Sequence, residues 1–129
     1  MEEVKAKLAG PALHMPGAHL DLQEAIQQVK ARYPGRSYCV VSDWVWLDLN
    51  APEEVLQGIR DQGKQPVMIL AFTVLYDSLD QDISGSWVRT QPLVEFSESK
   101  FFVTKHTVYV LIGDGQRRRM ALSTVLRVF

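Results

Sequence analysis

Residues 38–49 read Tyr-Cys-Val-Val-Ser-Asp-Trp-Val-Trp-Leu-Asp-Leu, and the fold turns on how that stretch is taken. Bulky β-formers dominate it, which predicts a strand with a bend at Ser42-Asp43. Alternation then sets Trp44 and Trp46 on one face and Val45 and Leu47 on the other. Both faces are apolar, so the two tryptophans serve either as a core wall or, if uncovered, as anchors for a partner.

Outward from this strand the pattern changes period. Toward the N-terminus, Leu22, Ala25, Ile26, Val29 and Tyr33 form one apolar stripe at helical spacing. Asp21 and Glu24 are placed for a variant of the capping box, and Pro34-Gly35 ends the helix. Residues 1–20, with Gly10, Pro11, Pro16 and Gly17, are expected to form an irregular arm. Toward the C-terminus, Asn50 is expected to cap a second helix, with Pro52 in its first turn and Glu53 and Glu54 at its positive end. Val55, Leu56 and Ile59 give that helix a narrow apolar edge, and Gly63 stops it.

Beyond it, Gln65–Tyr76 is almost unbroken apolar sequence, which suggests a strand covered on both faces. Asp77–Ser86 reads as an exposed loop. Trp87–Phe96 alternates loosely, with Pro92 arguing for an edge or bulge. Phe101–Thr104 and Thr107–Ile112 are strand-like, Gly113-Asp114-Gly115 predicts a tight hairpin, and Arg117–Leu122 would be the returning strand. Ser123–Phe129 suits either a helical turn or an extended end. The expectation is an α+β fold: two N-terminal helices packed on an antiparallel β-meander, whose strands could curl into a small SH3-like barrel. Residues 1–20 would be the arm and 21–129 a single α+β domain.

Composition narrows the class. A chain of 129 residues with 47% hydrophobic side chains suits one domain with its own core. Cys39 is the only cysteine, which rules out an intrachain disulfide and any zinc site needing two thiolates from one chain. The mixed-charge start lacks a signal-peptide pattern, and the longest apolar run is about half of a membrane span, so a soluble cytoplasmic protein is expected, with no membrane partner. Net charge is only −1, yet residues 43–82 hold eight acids against two bases, and residues 83–129 hold seven bases against three acids. Such a polarity could orient a partner.

Chemistry-bearing residues are few. Cys39 sits in a hydrophobic run, where cysteine is usually a small core residue. Among the histidines, His14 and His19 lie five apart, unlike a common zinc spacing, and His106 reads as an exposed strand residue. Asp77, Asp80 and Asp82 lack the register of a calcium loop, and Gly113-Asp114-Gly115 lacks the context of a dinucleotide site. No catalytic residue, cofactor or metal is therefore assigned. Arg117-Arg118-Arg119 could touch phosphates, although in a strand Arg118 faces away from its two neighbours and the run equally suits a solubilising edge.

Tyr38-Cys39-Val40-Val41 with Trp44-Val45-Trp46, Gln65-Pro66-Val67-Met68, Trp87-Val88-Arg89-Thr90 with Pro92-Leu93-Val94, and Val108-Tyr109-Val110-Leu111 before Gly113 and Gly115 together resemble a small bacterial and prophage-associated domain family of unknown function, over roughly residues 20–129. The resemblance implies a bacterial or phage setting and no particular chemistry.

The reading that follows is a non-catalytic protein-interaction module, a bacterial or phage-encoded accessory protein that binds another protein or a second copy of itself. Its expected contact residues are Trp44, Trp46, Trp87, Arg89, Arg117 and Arg119. The alternative is a nucleic-acid-binding module using a basic hairpin around Arg117–Arg119. A third reading, an enzyme with Cys39 or His106 in a cleft, requires a reactive thiol or a perturbed imidazole.

Overall fold

A computed structural model of the chain describes residues 11–129. Its axis is the stretch quoted at the outset: β2, Tyr38–Asn50, runs unbroken for 13 residues. The remaining elements are β1 (Leu13–Met15), α1 (Leu22–Arg32), α2 (Glu53–Asp61), β3 (Val67–Asp77), β4 (Val88–Arg89), β5 (Glu95–Ser97), β6 (Phe101–Val103), β7 (Val108–Leu111), β8 (Gly115–Ala121) and α3 (Leu122–Val128). Of the stretch expected as an irregular arm, residues 1–10 lie outside the described residues, and Leu13–Met15 pairs antiparallel with β8.

The expected pair of N-terminal helices on an antiparallel meander is overturned. Among the described residues the sheet is mixed, eight strands curled into a half-barrel, and only α1 is an N-terminal helix packed against it. One edge of β2 pairs antiparallel with β3 from Cys39 to Asp48. Its other edge is shared by two strands that both run parallel to it, β7 along Tyr38–Val41 and β8 along Val45–Asn50. Expectations from sequence favour pairing between neighbours in the chain. The parallel contacts instead join segments about 70 residues apart, and no local signal announces them.

The same pairing corrects the hairpin at Gly113-Asp114-Gly115. β7 and β8 run in the same direction, so the chain does not turn back there. Between the pairs Val41↔Leu111 and Val45↔Gln116, three residues of β2 face four on the other side. The glycine-rich segment is thus a bulge-like kink in one continuing edge, opposite Asp43, which adopts a left-handed φ of 51°. The expected bend at Ser42-Asp43 is a local twist inside β2.

That kink decides which side chains share a face. Cys39 and Val41 before it, and Trp44 and Trp46 after it, all enter the same cluster with Ile69, Val74, Leu93, Phe102 and Leu111. Among the described residues no α-helix contributes to this cluster; the curl of the sheet brings Phe96 and Phe102 edge-on against Trp46, with centroids 4.9 and 5.5 Å away. On the opposite face α1 covers one half through Ala25 and Val29, while α3 covers the other through Val125. Large aromatic side chains are what fill the inside of a curled sheet, and that explains the density of tryptophan in so short a chain.

Candidate functional site

The six expected contact residues separate into three environments. Trp44 and Trp46 are 1% and 7% exposed and belong to the interior. The Trp44 indole donates to Gly113 O at 3.0 Å and lies where a Cβ on Gly115 would collide with its ring. Trp87 is 39% exposed, its ring edge-on to Phe129 at 6.3 Å. Arg89 is half-buried; its Nη1 reaches Thr90 O at 3.4 Å, and its Nε is buried with no partner among the described residues.

The arginine run is not an open basic stripe. Arg117 grips Asp48 with two hydrogen bonds of 2.7 and 3.1 Å, and Asp48 also accepts from the Trp46 indole at 3.2 Å. This bidentate pairing raises the Arg117 pKa above its ordinary value and links the acidic and basic halves of the sequence. Arg118 donates to Gln116 at 3.1 Å. The exposed Arg119 side chain makes no hydrogen bond or ion pair among the described residues.

A second arrangement escaped sequence reasoning altogether. His14 and His19 converge on the two oxygens of Asp114, at 3.3 and 3.2 Å, and Gly17 N donates to the same carboxylate. The Gly17 hydrogen bond foremost, then the two imidazoles, hold the Asp114 carboxyl below the usual carboxylate range. Asp114 lies about a hundred residues from its partners, so no spacing rule could have found them. It stands at the mouth of a polar groove of about 440 Å³ with Asp43, Gln116 and Arg118. Among the described residues no Ser, Thr or Cys lines that groove. The contact pins residues 14–19 to the kink between β7 and β8.

The remaining reactive groups lie elsewhere. Cys39 is buried, and burial together with Asp77 pushes its thiol up to about 12. The neighbouring Tyr109 is pushed to about 12 chiefly by the same burial. His106 is exposed in the β6–β7 turn. Asp77 and Asp80 accept backbone N–H groups of their own loop, the behaviour of turn-forming acids.

The third arrangement is apolar. α2 is strongly amphipathic, yet none of its residues is buried and, among the described residues, it packs on no other element to any substantial degree. Between it and α3 runs an open groove of about 510 Å³, lined chiefly by Pro52, Val55, Ala121, Leu122 and Leu126. Val55 is 39% and Leu126 55% exposed. The narrow apolar edge of α2 was legible in the sequence. Its far wall was not, because residues 123–129 suited helix and strand equally.

Residues 16–127 match the family described as Domain of unknown function (DUF6957). No curated protein and no solved structure matches the chain. Among the described residues no helix is long and apolar enough to cross a membrane.

Proposed function

This chain belongs to the DUF6957 family, and we propose that it is a non-catalytic protein-interaction module, a bacterial or phage-encoded accessory protein of the cytoplasm whose working surface is the α2–α3 groove. One observation carries the reading: a helix with a well-formed apolar edge buries none of its residues, and exposed Leu126 stands across the groove from it. An amphipathic helix left unpacked in the isolated chain is the usual form of a binding face. Of the six residues first singled out, Trp44 and Trp46 are interior and Arg117 is engaged by Asp48, while Trp87 and Arg119 are exposed.

The nucleic-acid alternative draws less support from the geometry. Arg117 is paired with the carboxylate of Asp48, so the run offers fewer free charges to a phosphate backbone than its sequence suggests.

The test compares tagged wild-type protein with a Val55→Asp/Leu126→Asp double variant, after checking that both unfold at the same temperature. A protein partner held by the wild type and lost from the double variant is the expected result. Binding that ignores both substitutions overturns the assignment of the groove. Salt-sensitive capture of nucleic acid, weakened by Arg117→Ala with Arg119→Ala, would transfer the function to the runner-up.

A further inference from the structure

We propose that the occupant of the α2–α3 groove is a second copy of this chain, docked about a two-fold axis so that each copy's α2 lies against the other's α3. The proposal rests on the groove being an interaction surface, and it adds the partner.

The charges flanking the groove select that occupant. On the α3 side, Arg127 lies one helical turn beyond Ser123, which lines the groove, and Arg119 sits two residues before Ala121 on the same face of β8. Neither side chain has a hydrogen-bonding or ionic partner among the described residues. The α2 side is acidic. Glu53 is tied to Arg60 at 2.9 Å and Asp61 accepts from Gln57 at 2.9 Å, which leaves Glu54, beside Val55, exposed with no partner among the described residues.

An occupant of this groove must therefore be apolar at its centre, acidic where it meets α3 and basic where it meets α2. That description fits the groove's own surface turned about a two-fold axis: α2 supplies an acidic amphipathic helix with no fully buried residue, and α3 supplies the basic, apolar wall that such a helix needs. Isologous interfaces require this kind of self-complementarity. The unpaired Glu54 of one copy then faces Arg127 of the other, twice per dimer, around a centre of Val55 and Leu126.

The experiment measures the mass of the purified full chain by sedimentation, up to roughly 100 µM. The wild type is expected to dimerise, and Leu126→Asp to raise the dimer dissociation constant on the order of a hundredfold. Glu54→Arg alone and Arg127→Glu alone should each weaken the dimer by about tenfold, through like charges facing each other. Mixing those two single variants should restore association as a mixed dimer, because both cross-pairs are then attractive. Misfolding of either variant does not produce that rescue.

A wild-type monomer at the highest concentration overturns the second-copy proposal, as does a dimer indifferent to Leu126→Asp or a mixture that fails to rescue. The broader reading of the groove survives a monomer if a different protein is still captured through Val55 and Leu126, and falls with it if none is.

Discussion

Helices α1 and α2 are of similar length and both are amphipathic, yet the chain treats them oppositely. α1 has a full capping box, Asp21 Oδ1 accepting from Glu24 N at 2.8 Å and Glu24 Oε1 from Asp21 N at 3.2 Å, and it drives Ala25 and Val29 to essentially zero exposure. α2, the more amphipathic of the two, has no side-chain cap and leaves Val55 exposed and Leu56 and Ile59 only half-buried. The reason lies in what each is attached to. Gly35, at a φ of 79°, turns the chain after α1 into β2, and α1 lies over the half of the sheet built by β2, β6 and β7. α2 belongs to the excursion between β2 and β3, whose base is closed by Asp48↔Val67 and by Leu49 N donating to Pro66 O at 2.9 Å. α2 lies wholly within that excursion, and none of its residues joins the described core clusters. An apolar stripe expresses a capacity for burial; it is used only where another apolar surface is within reach.

The contrast can be broken most forcefully by placing the same charge in both helices. Val29→Asp should cost on the order of 4 kcal/mol in denaturant unfolding, the scale of an uncompensated buried charge. Val55→Asp should change stability by no more than about 0.5 kcal/mol, as exposed substitutions do. Equal losses would mean that α2 is packed after all.

The face of β2 turned away from α1 can be sharpened by pH. Cys39 and Tyr109 have folded pKa values raised to about 12 from ordinary values of 9.0 and 10.0. Their contribution to stability is therefore fully present below about pH 9, and is lost as pH rises from there toward 12, because the unfolded chain gives up these protons first. Unfolding curves at successive pH values should show that decline, on the order of a few kcal/mol over the whole window. At pH 8 the folded thiol should resist alkylation until the protein unfolds, since a pKa near 12 leaves a thiolate fraction on the order of 10⁻⁴. Rapid labelling of the native protein would contradict its burial.

Gly115→Ala should cost about 2 kcal/mol in thermal or denaturant unfolding, through overpacking against the Trp44 ring. Gly58→Ala in α2 meets open space and should be neutral or slightly stabilising. Removing the cap of α1 has a more modest effect than the Gly115 change: Asp21→Ala should lower stability by about 1 kcal/mol. Comparing the amide exchange rates of the two helices would show whether the capped α1 is the better protected.

Residue order along the chain was sufficient for whatever depends on near neighbours. The capping box of α1, the long β2 strand, the shared face of Trp44 and Trp46, the β3 run and the apolar edge of α2 all follow from side chains a few positions apart, where propensity and period act directly. The rest depended on pairings that spacing does not encode. The parallel contacts of β7 and β8 with β2, the kink that replaced a hairpin at Gly113-Asp114-Gly115, the meeting of His14 and His19 at Asp114, and the clasp of Arg117 on Asp48 each join residues some 70 to 100 positions apart. The groove is of the same kind: α2 could be read locally, but only closure of the β2–β3 base and the folding of α3 determined that its apolar edge would face a second exposed wall and stay uncovered. Hydrophobic burial is non-directional. A sequence can therefore state which surfaces seek cover, while the geometry of the folded chain settles which of them receive it.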